Sequence, residues 1–118
     1  MLALPPQLRC FLCCRATDMR SGFDSLSGIV RTWMKGDPLS GDLFVFVNKA
    51  RTHVKMLFWD DDGFVVIYKR LEQGTFAVTA SQDATRQLRR DELLLLLAGI
   101  EQATTQRRRR YSVGSSSR

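Results

Sequence analysis

Three acids stand in a row at Asp60, Asp61 and Asp62. Carboxylate clusters of this kind hold divalent ions for phosphodiester hydrolysis. Adjacent residues of an extended chain point to opposite faces, however, so three in succession rarely converge on one ion. Asp18 and Asp24 join them only if the fold brings them close. With Gly63 directly after, the row reads better as an acidic turn. Cys10, Cys13, Cys14 and His53 offer four zinc-type ligands. On a strand Cys10 and Cys14 share one side and Cys13 takes the other, which is poor geometry for a tetrahedral site. No second cysteine pair of matching spacing exists, so buried reduced thiols are the favoured reading. With one histidine and no serine in a nucleophile motif, a hydrolytic triad has no support. There is no Gly-rich phosphate loop. The chain is therefore expected to carry no catalytic residue, no metal and no cofactor.

Binding residues are better represented. Lys49, Arg51, Lys55, Lys69 and Arg70 are interleaved with Phe58, Trp59 and Tyr68. Cations on phosphates and rings for stacking can bind nucleic acid. The alternative is a solvated sheet edge, which Lys and Arg protect from aggregation. Asp60 and Glu72 lower the local positive potential. Arg107, Arg108, Arg109 and Arg110 form a cationic run able to bind phosphates by counterion release without reading sequence. A solvated terminus is the competing reading. The candidate DNA contacts are thus Lys55, Lys69, Arg70 and Arg107 to Arg110. Leu93 to Leu97, five leucines in succession, suit a protein partner.

The bulk of the chain narrows these options. Its 118 residues fit one domain, with 44% hydrophobic and 25% charged residues, ordinary for a soluble globular protein. Of the net charge of +6, residues 1–106 contribute +1, holding 13 of the 18 basic residues and all 12 acids. Residues 107–118 supply the remaining +5. A nearly neutral body argues against a protein that grips nucleic acid over a whole basic face, and allows one that touches it through an arm. Pro5 and Pro6 interrupt the N-terminus and no signal peptide is read. Leu93 to Leu97 is too short to span a bilayer, so a cytoplasmic protein without a membrane partner is expected.

The spacing of apolar residues predicts an α+β fold. Residues 1–8 read as a flexible leader, 9–103 as a single domain and 104–118 as a disordered arginine-rich tail. Arg9 to Arg15 predicts a short strand. Ser21 with Asp24 resembles a capping box. Phe23, Leu26, Ile29, Val30, Trp33 and Met34 then fall on one face of a helix stopped by Gly36 and Pro38. Leu43 to Asn48, Val54 to Trp59, Phe64 to Arg70 and Phe76 to Thr79 predict four strands in an antiparallel meander. Asp60 to Gly63 forms the second of its turns. Leu43, Val45 and Val47 share one apolar face of the first of these strands and Phe44 and Phe46 the other. That strand is expected to be central, with the helix over one side. Ser81 to Arg90 reads as a loop. Asp91 to Gln102 reads as a second helix, opened by acids that complement its dipole.

Three blocks carry a resemblance. They are Thr17-Asp18-Met19-Arg20-Ser21-Gly22-Phe23-Asp24 with Leu26, Leu57-Phe58-Trp59-Asp60 with Gly63, and Tyr68-Lys69-Arg70-Leu71-Glu72 with Gly74 and Phe76. In this order and spacing they resemble the TnpB-type accessory proteins of the insertion sequence 66 family. Pro38, Gly41, Leu43, Phe44, Phe46 and Lys55 also fall where that pattern places them. The resemblance covers about residues 9–102. The sequence departs from it at Val78-Thr79, where the family has Trp-Pro, and at Arg89-Arg90, where it has Thr-Pro. It implies an accessory protein, not an enzyme, encoded beside a separate transposase and supporting transposition of a bacterial insertion sequence. The implied partners are that transposase and double-stranded DNA at the transposon ends. A protein-only module that stabilises the transposase is the alternative, and a metal-dependent nuclease subunit built on Asp60 a remote one. The family-motif residues are Asp18, Met19, Arg20, Gly22, Phe23, Trp59, Asp60, Gly63, Lys69, Arg70 and Leu71, with no role assigned to any of them individually.

Overall fold

A computed structural model describes residues 7–78 and 81–99. Its elements in chain order are β1 (Cys10–Cys13), α1 (Phe23–Thr32), β2 (Leu43–Val47), β3 (His53–Asp60), β4 (Gly63–Arg70), β5 (Thr85–Leu88) and α2 (Arg90–Ala98). The strands form one mixed sheet in the order β4-β3-β2-β1-β5, so the α+β class holds. The α1 crossover allows β1 and β2 to run parallel, since parallel neighbours need a long connection. The other pairings are antiparallel. At its start, β1 is tied to β2 by Arg9, whose Nε and Nη2 donate to the two carboxylate oxygens of Asp42 at 3.0 and 2.8 Å.

All five residues of β2 are buried. Leu43, Val45 and Val47 face a core completed by Leu93, Leu96 and Leu97 of α2 and by Phe76. Phe44 and Phe46 face a second core with Leu26 and Val30 of α1 and Met34 just beyond it. The alternation within this strand thus reports a sheet covered on both sides, as expected.

Other expectations are corrected. The buried stripe of α1 is Leu26 and Val30, continued by Met34, while Phe23 and Trp33 stay 50% and 39% exposed. The N-cap of α1 is Gly22, and no side chain caps it, so Ser21 and Asp24 form no capping box. The reciprocal contact sits instead at α2, where Glu92 Oε1 accepts the Arg89 N–H at 2.8 Å. The antiparallel meander stops at β4. Residues 76–78 are not a strand. They belong to a segment pinned to the β2–β3 loop, where the Phe76 N–H donates to the Arg51 carbonyl at 2.7 Å and Arg51 Nη1 to the Val78 carbonyl at 3.3 Å. The polar stretch read as a loop contains β5, which pairs with β1 at the sheet edge. Only Leu88 of β5 is buried.

Candidate functional site

The first and third sequence blocks meet on the α1 side of the sheet, where Lys55 joins them. It lies on β3 opposite Tyr68 of β4. Its Nζ donates to the Ser21 carbonyl at 2.8 Å and lies 4.9 Å from the centre of the Tyr68 ring. One ammonium therefore fixes the first block against the third. The second block runs further along the same face, where the Trp59 and Phe64 rings meet edge-on at 5.1 Å, an arrangement favoured by ring quadrupoles.

Within the first block Asp18 does two jobs. It accepts the Arg20 backbone N–H at 2.9 Å, and it pairs with the Arg20 guanidinium, whose Nη2 lies 2.7 Å from Oδ2. The side-chain hydrogen bonds from Arg20 lead in pulling the Asp18 carboxyl down to about 2. Phe23, at the first position of α1, leaves half its surface in solvent. Arg20 is exposed and Met19 half-buried.

At the end of β3 and β4 remote from the Asp60–Gly63 turn, His53 faces Arg70 in the ladder. Asn48 organises this corner. Its Oδ1 accepts the N–H groups of Thr52 and His53 at 2.9 and 3.0 Å, which fixes its amide nitrogen as the donor. That nitrogen lies 3.1 Å from Thr52 Oγ1, and Oγ1 lies 2.7 Å from His53 Nδ1. The His53 ring is tilted against Tyr68 at 5.9 Å. Arg70 Nε donates to Glu72 at 3.0 Å. His53, Tyr68, Arg70 and Glu72 line a shallow hollow.

The cations singled out from the sequence do not share a face. Lys55 and Arg70 lie on the α1 side. Lys69 points to the α2 side and donates to the Leu97 carbonyl at 2.9 Å, near the C-terminal end of α2, where a cation complements the helix dipole. Lys49 is exposed, and Arg51 serves the 71–78 segment. Gly63 closes the β3–β4 hairpin opposite Asp60, while Leu71 is half-buried against the α2-side core. Arg107 to Arg110 lie outside the described residues.

The acids and thiols stand apart. Asp61 and Asp62 sit at the exposed tip of the hairpin, with Asp61 taking the left-handed conformation (φ 55°). Cys10 lies in the α2-side core and Cys13 in the α1-side core, and burial pushes both thiols up. Among the described residues no three His, Cys, Asp or Glu side chains stand close enough to hold a metal ion. No described helix is long and apolar enough to cross a membrane. The Lys55 clasp and the Asn48 relay were missed in the sequence. Asn48 ahead of a short polar connection is a turn signal that could have pointed to the relay.

The family described as IS66 Orf2 like protein matches residues 8–107. Two proteins of Sinorhizobium fredii, named uncharacterized protein y4jC and uncharacterized protein y4hO, are 30% and 33% identical to this chain over 101 residues. Each alignment covers 86% of this chain, and 86% and 88% of the respective relative. No solved structure matches.

Proposed function

The chain belongs to the IS66 Orf2-like family, whose role is that of a transposition-associated accessory protein, and on that premise we propose that it acts as an assembly factor binding the transposase and the transposon-end DNA. The observation that carries this reading is the meeting of the first and third family blocks at Lys55. Packing explains Leu26 and Leu57 of the family blocks, which are fully buried. It does not explain Phe23, Tyr68, Arg20 and Arg70, which the same blocks leave in solvent. Exposed rings beside cations suit a surface that receives a partner. Arg70 belongs to that surface, and Arg107 to Arg110 would add a non-specific arm. Lys55 and Lys69, each donating to a backbone carbonyl, serve DNA binding mainly by shaping the domain. No chemistry on a substrate is assigned to the chain.

A protein-only reading has its own support. Leu94 and Leu95 of α2 are 45% and 68% exposed, and the cations near the sheet are divided between its two faces. A titration of the full chain into a fluorescent duplex of the element's terminal inverted repeat, beside a scrambled duplex, separates the two. Preference for the repeat supports site reading, and equal salt-sensitive binding supports the arginine arm. Absence of both, together with co-elution with the transposase, leaves the protein-only module.

A further inference from the structure

We propose that the hollow between His53, Tyr68, Arg70 and Glu72 is a binding site for a phosphate oxyanion. The first argument is the tautomer of His53. Asn48 Oδ1 is held by two backbone N–H groups, so its Nδ2 must donate, and Thr52 Oγ1 is its acceptor. The Thr52 hydroxyl lies 2.7 Å from His53 Nδ1 and can turn its hydrogen toward it, and Asn48 Nδ2, a donor, also lies 3.3 Å from the same nitrogen. Two donors facing Nδ1 suit the tautomer that carries its proton on Nε2. In that tautomer His53 presents a donor on the side away from the relay.

The second argument is the balance of donors and acceptors around that nitrogen. Arg70 engages Glu72 through Nε, and both Nη groups remain for a fork-like contact with an oxyanion. No described residue partners the Tyr68 hydroxyl. The one carboxylate of the hollow, Glu72, is already occupied by Arg70 and orients its guanidinium. Lys55 sits next along the same face, over the Tyr68 ring. The free Nη groups of Arg70, with an imidazole and a phenol lining the same hollow and its single acid already engaged, favour an oxyanion. A metal ion would find a single, engaged carboxylate. The hollow is too shallow to enclose an apolar ligand. That the phosphate is one of a DNA backbone rests on the reading given above, whereas the oxyanion site itself does not.

His53 is the chain's one histidine, so it reports on the site without assignment. Long-range proton–nitrogen spectra of the full chain would be followed through separate additions of inorganic phosphate and a 20-base-pair duplex, alongside anisotropy titrations of that duplex. The expected result is a protonated Nε2 in the free protein that shifts with duplex. Arg70→Gln should abolish the shift, weaken binding roughly tenfold, and lower the slope of log K against log salt by about 0.9, one phosphate contact. Tyr68→Phe, which removes a single hydroxyl, should weaken binding severalfold without changing that slope. A shift with phosphate and no duplex binding establishes the oxyanion site and removes its DNA assignment. Duplex binding with His53 unmoved and the Arg70→Gln slope unchanged overturns the site and leaves the DNA reading standing. If neither addition moves His53, the site is overturned.

Discussion

Replacing Lys55 with Met tests whether one ammonium holds the first and third family blocks together. Met keeps most of the aliphatic stem and removes the charge. The lost hydrogen bond to the Ser21 carbonyl, 2.8 Å long and partly buried, is charge-assisted, a class that contributes about 1.5–3 kcal/mol. The contact with the Tyr68 ring adds about 0.5–1 kcal/mol. Against this, Met avoids the desolvation of an ammonium, while the two side chains give up similar rotamer freedom. The net destabilisation should be about 1–2 kcal/mol. In a domain of this size each kcal/mol lowers Tm by about 4–8 °C. Urea unfolding followed by the fluorescence of Trp33 and Trp59 measures the loss. Hydrogen exchange should quicken first at Leu26, whose N–H donates to the Gly22 carbonyl just beyond the clasp. A cycle with Tyr68→Leu should return a coupling of about 0.5–1 kcal/mol. A Lys55→Met midpoint within about 0.3 kcal/mol of the parent and an additive cycle would refute the clasp. Tyr68 and the first block would then be independent surfaces.

Other substitutions and titrations probe separate features. Gly99→Ala should destabilise by at least about 1–2 kcal/mol, because Gly99 adopts φ 80° and ψ 170° and an added Cβ would meet Leu71 Cδ1 at 2.8 Å; an unchanged thermal midpoint would contradict that backbone. The Asp18 carboxyl should titrate near 2 by carbon NMR and move upward in Arg20→Gln, since Arg20 hydrogen bonds lower it. Because that folded value is depressed, the pair's contribution is complete above the ordinary aspartate range and disappears only as pH falls through about 2. Iodoacetamide should label Cys14 in the native protein while Cys10 and Cys13, buried and with thiols pushed up, react only after unfolding. Equal labelling of all three would mean that β1 is not packed on both faces.

Much of the sheet was legible because burial leaves a period in the sequence. Leu43 to Val47, Val54 to Trp59 and Phe64 to Arg70 are long, apolar and separated by clear turns, so local pattern was enough to predict their pairing. β5 was illegible for the opposite reason. An edge strand buries little, and Thr85, Arg86 and Gln87 show no alternation that would separate them from a loop. Phe76 is fully buried like a strand residue, yet it packs from a segment whose N–H goes to the Arg51 carbonyl. Composition does not distinguish that from a sheet. Phe23 and Trp33 have the right period for the helix face but lie at its margins, beyond the reach of the sheet. The acidic turn and the separated cysteines were readable from strand geometry alone.

The sequence by itself determined the family, the α+β class and the two-sided burial of β2. These follow from residue type and short-range spacing. Only the tertiary structure decided that β1 lies parallel to β2, that Lys69 and Lys55 point to opposite faces, and that Lys55 joins the first block to the third. It alone brought His53 beside Arg70. Such outcomes depend on register between strands, where one position exchanges the two faces of the sheet, and register is set by contacts between segments distant in the chain.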